Sequence, residues 1–212
     1  MELFTYFRSS TAYRVRIALN LKGIAVTHTP ISLLKGEQRD DDYAQINPQR
    51  LVPTLKLDDG TILTQSMAIC EYLDEVRPEP PLMPADPVGR ARVRALAQVV
   101  GCDIHPVDNL RVLKYLTGTL NVSDEDRMTW YRHWIKEGFA AFEAHLDSPH
   151  TGRFCHGDSP TLADICLVPQ VFNARRFTVD MTPYPRLAAI TEACEGLNAF
   201  KDAHPGQQSD AL

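Results

Sequence analysis

A cluster of prolines divides this chain into two parts with different folding patterns. Between residues 77 and 87 lie five of its 15 prolines: Pro78, Pro80, Pro81, Pro84 and Pro87. Proline fixes φ, removes a backbone donor and stops a helix, so this stretch predicts a linker over residues 78–87. Before it, strand and helix patterns alternate. Residues 3–6 predict a short apolar strand, and residues 12–21 a helix that stops at Gly23. A second strand is expected over residues 26–31. Asp58-Asp59-Gly60, flanked by residues 54–57 and 61–63, is a hairpin signal. Ser66–Val76 then predicts a helix that the prolines end. The order β-α-β followed by β-β-α specifies a small α/β domain with a mixed sheet over residues 1–77.

After Pro87 helical spacing takes over, and residues 88–212 are expected to form an all-helical domain. Residues 88–116 predict one long helix kinked at Pro106. Ser123-x-x-Asp126 opens another helix that reaches about Leu146. Thr161-x-x-Asp164 reads as a capping box with Asp in place of Glu, and its helix passes Leu162, Ile165, Cys166, Val168 and Phe172. Two more helices are expected over residues 186–194 and 197–203.

Charge and cysteine content narrow the partners. With 22 Lys and Arg against 27 Asp and Glu in 212 residues, the net charge of −5 argues against nucleic acid or an anionic membrane as the main partner. No apolar run approaches the ~18–20 residues of a membrane span. The first residues lack the basic and apolar regions of a signal peptide, so a cytoplasmic location is expected. The five cysteines (Cys70, Cys102, Cys155, Cys166 and Cys194) are odd in number, widely spaced and free of any C-x-x-C or Cys/His metal pattern. They predict free thiols in a reducing compartment, with no disulfide framework and no metal site.

Three segments carry chemistry. Phe7-Arg8-Ser9-Ser10-Thr11 lies between the first strand and the first helix. A helix N-terminus offers free N–H groups and a positive dipole end to an anion or thiolate. The hydroxyls there either serve such a ligand or simply cap the helix. A thioredoxin-type redox site needs C-x-x-C in this turn, and none is present. Leu51-Val52-Pro53-Thr54-Leu55 precedes a strand, where a cis Val52–Pro53 bond would present the Val52 backbone to a ligand. Gln65-Ser66 opens another helix and has the same two readings, cap or carboxylate site.

The order of these segments resembles the N-terminal domain of cytosolic glutathione transferases. Ser9-Ser10 followed by Tyr13-Arg14-Val15-Arg16-Ile17-Ala18-Leu19 narrows the resemblance to the zeta class, which includes the maleylpyruvate and maleylacetoacetate isomerases. It continues through Asn47-Pro48, Gln65-Ser66-Met67-Ala68-Ile69, Asn109-Leu110, Leu162-Ala163-Asp164, Leu167-Val168-Pro169-Gln170 and Asp180-Met181-Thr182-Pro183-Tyr184-Pro185. Arg8-Ser9-Ser10 and Asp103-Ile104-His105-Pro106 are similar to the bacterial maleylpyruvate isomerases. Many zeta enzymes carry Cys where this chain has Thr11.

The resemblance implies a thioredoxin-like domain with a four-stranded mixed sheet, a helical second domain, a homodimer and glutathione as cofactor. The reaction it implies is cis–trans isomerisation of maleylpyruvate to fumarylpyruvate by reversible thiolate addition. The alternatives are maleylacetoacetate isomerisation and a general or dehalogenating transferase. For glutathione it implies Ser9, Ser10, Thr11, Gln38, Val52, Pro53, Gln65 and Ser66, joined by Asp103, His105 and Asn109. Arg8, Arg111 and Arg176 are its candidates for the carboxylates of a dianionic keto acid, with Arg175 as a substitute for Arg176. Ser9 would hold the thiolate. His105 would bind a glutathione carboxylate or pass a proton, or else serve as a structural histidine before Pro106.

Overall fold

The computed structural model describes residues 1–211. In chain order the elements are β1 (Glu2–Thr5), α1 (Ser10–Leu21), β2 (Thr27–Pro30), α2 (Asp41–Ile46), β3 (Thr54–Lys56), β4 (Ile62–Thr64) and α3 (Ser66–Val76). Then come α4 (Pro87–Gln98), a π-helical segment Val99–Ile104, α5 (His105–Asp108), α6 (Leu110–Gly118) and α7 (Asp124–His145). The chain ends with α8 (Leu162–Arg176), α9 (Pro185–Glu195) and α10 (Asn198–Ala203). Two compact units result: Met1–Leu82 with Glu195–Leu212, and Met83–Cys194.

The first unit holds a mixed sheet in the order β2-β1-β3-β4. β1 runs parallel to β2, with Leu3 opposite His28, and antiparallel to β3, with Leu3 opposite Leu55. The Asp59-Gly60 signal is realised in the β3–β4 turn, where Gly60 adopts φ +88°. α1 is buried continuously from Ala12 to Leu19. α3 presents Ser66, Ile69, Cys70 and Leu73 as its buried stripe, at the i, i+3, i+4, i+7 spacing of a one-sided helix, and packs on α1.

The expected boundaries shift in two places. The final segment, expected within an all-helical 88–212, returns to the first unit. There α10 packs on α1, Asn20 donates to the Ala199 carbonyl at 2.9 Å, and the buried Arg16 donates through Nε to the Ala203 carbonyl at 3.0 Å. The linker expected over 78–87 is also partly annexed. Lys22, only 3% exposed, donates Nζ to Asp74 at 2.6 Å and to the carbonyls of Pro78 and Pro80, while Leu82 N donates to the same Asp74 oxygen at 2.8 Å. A buried ammonium requires such oxygens. Meeting that need fastens the first half of the proline run to the sheet unit, which ends at Leu82 instead of residue 77.

The second unit is helical. The single helix expected over 88–116 is broken: the π-helical segment follows α4, α5 carries Pro106, and Asn109 is extended (φ −63°, ψ 144°) before α6 starts. Pro106 has no N–H to offer the preceding turn, so regular helical bonding cannot run through it. The Asn109 side chain then caps α6 by accepting from Arg111 N at 3.0 Å. α7 begins as expected, with Ser123 Oγ accepting from Asp126 N at 3.0 Å. It passes so close to the π segment that a Cβ on Gly138 would lie 2.2 Å from Ile104 Cγ1. The fully buried Asp164 closes the capping box of α8, accepting from Thr161 N and Thr161 Oγ1 at 2.8 Å each and from Cys155 N at 2.8 Å.

Candidate active site

Ser9 is the N-cap of α1, and its Oγ accepts from Ala12 N at 3.2 Å. Capping is therefore realised, and it leaves the hydroxyl at the positive end of the helix. Ser9 Oγ also lies 2.9 Å from Thr11 Oγ1, which donates to the Val52 carbonyl at 2.9 Å. A hydroxyl has one proton, and that of Thr11 goes to Val52, so Ser9 is the donor in the Ser9–Thr11 pair. Thr11 thus links the α1 N-terminus to the Val52–Pro53 turn, where the peptide bond is cis. Val52 is buried, and its N–H donates no hydrogen bond among the described residues.

Arg8 is exposed beside Ser9, its guanidinium 4.8 Å from the Phe7 ring centroid. The loop beneath it is held from two sides. Arg16 donates to the Phe7 carbonyl at 3.0 Å and to the Tyr6 carbonyl at 3.4 Å, and Phe7 N donates to Asp210 at 3.0 Å. Burial lowers the Arg16 guanidinium to about 10, and Asp210 opposes that shift, so it remains a cation at neutral pH.

At the start of α3, Gln65 has φ +69° and ψ 112°, outside the conformations that a side chain ordinarily permits. Such strain collects where a ligand is held. Its Nε2 donates to Gln49 Oε1 at 2.7 Å. Ser66 is buried and accepts from Arg14 Nη1 at 3.4 Å. Gln38 sits in the 3-10 turn Glu37–Arg39, buried, with Oε1 lacking a partner. Ser10 is the buried first residue of α1, and Pro53 is buried next to Val52. The first unit therefore brings Ser9, Thr11 and Val52 into one hydrogen-bonded chain and places Gln65 and Ser66 at a second helix start.

The remaining candidates belong to the second unit. Asp103 is exposed on the π segment, His105 begins α5, and Asn109 caps α6. Asn109 Nδ2 lies 3.3 Å from His105 Nε2. Because Asn109 Oδ1 already accepts from Arg111 N, its amide faces the His105 ring with the NH2 group. Arg111 is exposed on α6. Arg176 is exposed at the end of α8, 4.9 Å from the Phe177 ring centroid. Asp108 is buried, with neither carboxyl oxygen partnered, and desolvation pushes it up to about 8.

Family models for the N-terminal and C-terminal domains of glutathione S-transferase match residues 8–76 and 135–193. A maleylacetoacetate isomerase of Rhizobium meliloti is 52% identical over 203 residues, covering 96% of this chain and 95% of that protein. The chain belongs to the glutathione S-transferase family. A solved bacterial maleylpyruvate isomerase, described as a zeta-class transferase, superposes with a TM-score of 0.97 at 49% identity and full coverage of both chains. A maleylacetoacetate isomerase from Anaeromyxobacter dehalogenans, solved with dicarboxyethyl glutathione and citrate in its active site, matches with a TM-score of 0.88 at 45% identity. It covers 100% of this chain and 97% of that one. The zeta-class resemblance and the transferase fold expected from the sequence both hold.

Several residues that hold these candidate positions carried little signal in the sequence. Arg16 and Asp210 brace the Arg8–Ser9 loop, and Gln49 holds Gln65. Only Arg16 carried a signal, as one of two charges, with Arg14, in the otherwise uncharged first helix. All five cysteines are free thiols, four buried and Cys102 exposed. Among the described residues no His, Cys, Asp and Glu cluster could hold a metal ion, and no helix is long and apolar enough to cross a membrane.

Proposed function

We propose that this transferase catalyses the glutathione-dependent cis–trans isomerisation of maleylpyruvate to fumarylpyruvate. The observation that carries the reading is the pairing of two helix starts prepared for an anionic thiol peptide, at Ser9 and at Ser66, with the exposed cation Arg8 beside the first. Polar groups without a partner among the described residues support a fit to glutathione: the Val52 N–H, Gln38 Oε1, and the Nε and Nη2 of the buried Arg14. The active-site turn has no cysteine, so the working thiol comes from the cofactor. Bound glutathione supplies a thiolate that adds reversibly to the conjugated double bond and frees rotation about it.

The chain does the rest. Ser9 turns its proton from Thr11 to the sulfur, aided by the dipole of α1. Val52 offers its amide to the peptide, Gln38 and Gln65 hold its polar groups, and Ser66 takes the γ-glutamyl carboxylate. Arg8 pairs with one substrate carboxylate. Arg111 and Arg176 serve the other, and Asp103, His105 and Asn109 complete the polar lining. Negative charge that develops on the keto oxygen is stabilised by these cations, as electrostatic catalysis requires. No atom is gained or lost, and no external oxidant or metal enters. The transferase acts as a cytoplasmic homodimer in this reading, a location consistent with five free thiols.

A second reading has a specific support, because the Rhizobium relative is a maleylacetoacetate isomerase. Both cis keto acids, assayed with and without glutathione, separate the two. Faster turnover of maleylpyruvate is expected, and only with glutathione. Preference for maleylacetoacetate selects the second reading, and turnover of neither overturns both.

A further inference from the structure

Arg14 and Arg16 leave α1 on opposite sides, since a step from i to i+2 turns a helix by about 200°. Each is only 2% exposed. Arg16 is fully engaged: it donates to the Ala203 and Phe7 carbonyls at 3.0 Å and to Thr5 Oγ1 at 3.1 Å. Arg14 is not. Its side chain makes one hydrogen bond, the 3.4 Å contact of Nη1 with Ser66 Oγ, and its Nε and Nη2 have no partner. A desolvated guanidinium with idle donors is strongly unfavourable unless an anion answers it. The location makes this worse, because Arg14 touches the first residue of α3, where the positive end of the helix dipole repels a cation. Everything at this point calls for negative charge that no described residue supplies.

We propose that Arg14 is a positioning residue for the γ-glutamyl carboxylate of glutathione, acting through Ser66. This rests on the placement of that carboxylate at the start of α3. The Ser66 hydroxyl has one proton and two lone pairs. By donating to a lone pair, Arg14 leaves the Ser66 proton free to point at the carboxylate. Its charge also polarises that hydroxyl and makes it a stronger donor. The second function is neutralisation, since the bound carboxylate answers a buried cation that otherwise lacks a counter-charge.

The test is calorimetric titration of the full-length protein with glutathione and with γ-aminobutyryl-cysteinyl-glycine, which lacks only the carboxylate in question. Wild type is expected to prefer glutathione by at least about tenfold. Arg14→Met and Ser66→Ala should each weaken glutathione about tenfold and leave the analogue within about twofold. The double variant should be little weaker than Ser66→Ala alone, because the two residues act as one unit. A buried charge exchanged for an apolar chain of similar volume is often tolerated, and the melting temperature checks this. If Arg14→Met does not fold, Arg14→Lys replaces it: the charge stays, the forked donor is lost, and glutathione should weaken while the analogue does not. Unchanged glutathione binding, equal losses for both ligands, or full additivity with Ser66→Ala would each reduce Arg14 to a packing residue. If wild type does not distinguish the two ligands, the carboxylate lies elsewhere, and the placement falls together with this proposal.

Discussion

Thr11→Val tests the hydrogen-bonded chain that joins the α1 N-terminus to the Val52–Pro53 turn. Valine matches threonine in shape but removes the hydroxyl that donates to the Val52 carbonyl and accepts from Ser9, both at 2.9 Å. Each lost bond is worth about 1 kcal/mol net, and the deserted Val52 carbonyl, in a residue only 7% exposed, adds part of a desolvation penalty. A loss of about 2–3 kcal/mol in unfolding free energy is therefore expected, read as a lower urea midpoint at constant m. The Val52 amide is held less firmly, so the glutathione dissociation constant should rise by about five- to tenfold. Thiol activation should move the other way. Ser9 no longer spends its proton on Thr11, so the pKa of bound thiol, read from thiolate ultraviolet absorbance against pH, should stay level or fall. Thr11→Ser keeps the hydroxyl and should restore both properties. Thr11→Cys, with a weaker donor, should lie between them. Unaltered stability together with unaltered affinity would refute the bridge, whereas lost turnover with intact glutathione binding would give Thr11 a direct chemical role that the geometry does not supply.

Arg8→Ala should lower kcat/KM by about a hundredfold or more while glutathione affinity changes little; turnover within a few-fold of wild type would remove the carboxylate clamp. Ser9→Ala should raise the pKa of bound thiol and, by deleting the N-cap, cost about 1 kcal/mol of stability; an unshifted titration would assign activation to backbone amides. Asp108 keeps its proton in the folded state up to about pH 8, against 3.8 for the unperturbed group. Between those values the folded chain binds more protons than the unfolded one, so this residue makes stability fall as pH rises from about 4 to 8. Urea midpoints of Asp108→Asn across that window should show a flatter profile, and an unchanged slope would contradict the buried-acid assignment. Gly138→Ala puts a methyl group where Ile104 already stands and should cost about 1–3 kcal/mol, checked by thermal unfolding.

Much of this protein was legible because its signals are local. The proline run, the periodicity of Ser66–Val76, the Ser123 cap, the Thr161–Asp164 box and the Asp59-Gly60 turn each involve residues a few positions apart, where spacing and backbone sterics decide the outcome. The candidate residues at the helix starts stand out for the same reason, although capping and ligand binding use the same hydroxyl and the sequence could not separate them. At Ser9 the structure shows the cap, with Oγ accepting from Ala12 N.

Tertiary structure alone decided what closes over long sequence distances. Nothing near Arg16 signals that the Ala203 carbonyl will meet it, or that Asp210 will brace Phe7, so the return of the C-terminal segment to the first unit was unreadable. The proline run stands between the two patterns, but where the first unit ends depends on Lys22 finding Asp74 and two carbonyls to satisfy its buried charge. The same holds for the arginines of α1. The sequence shows two cations in an otherwise uncharged helix; only packing shows that one is saturated by the fold and the other is left with idle donors at the start of α3. Local spacing determines which elements form, whereas the need of each buried charge for a partner is met by groups that the folded chain brings from far away.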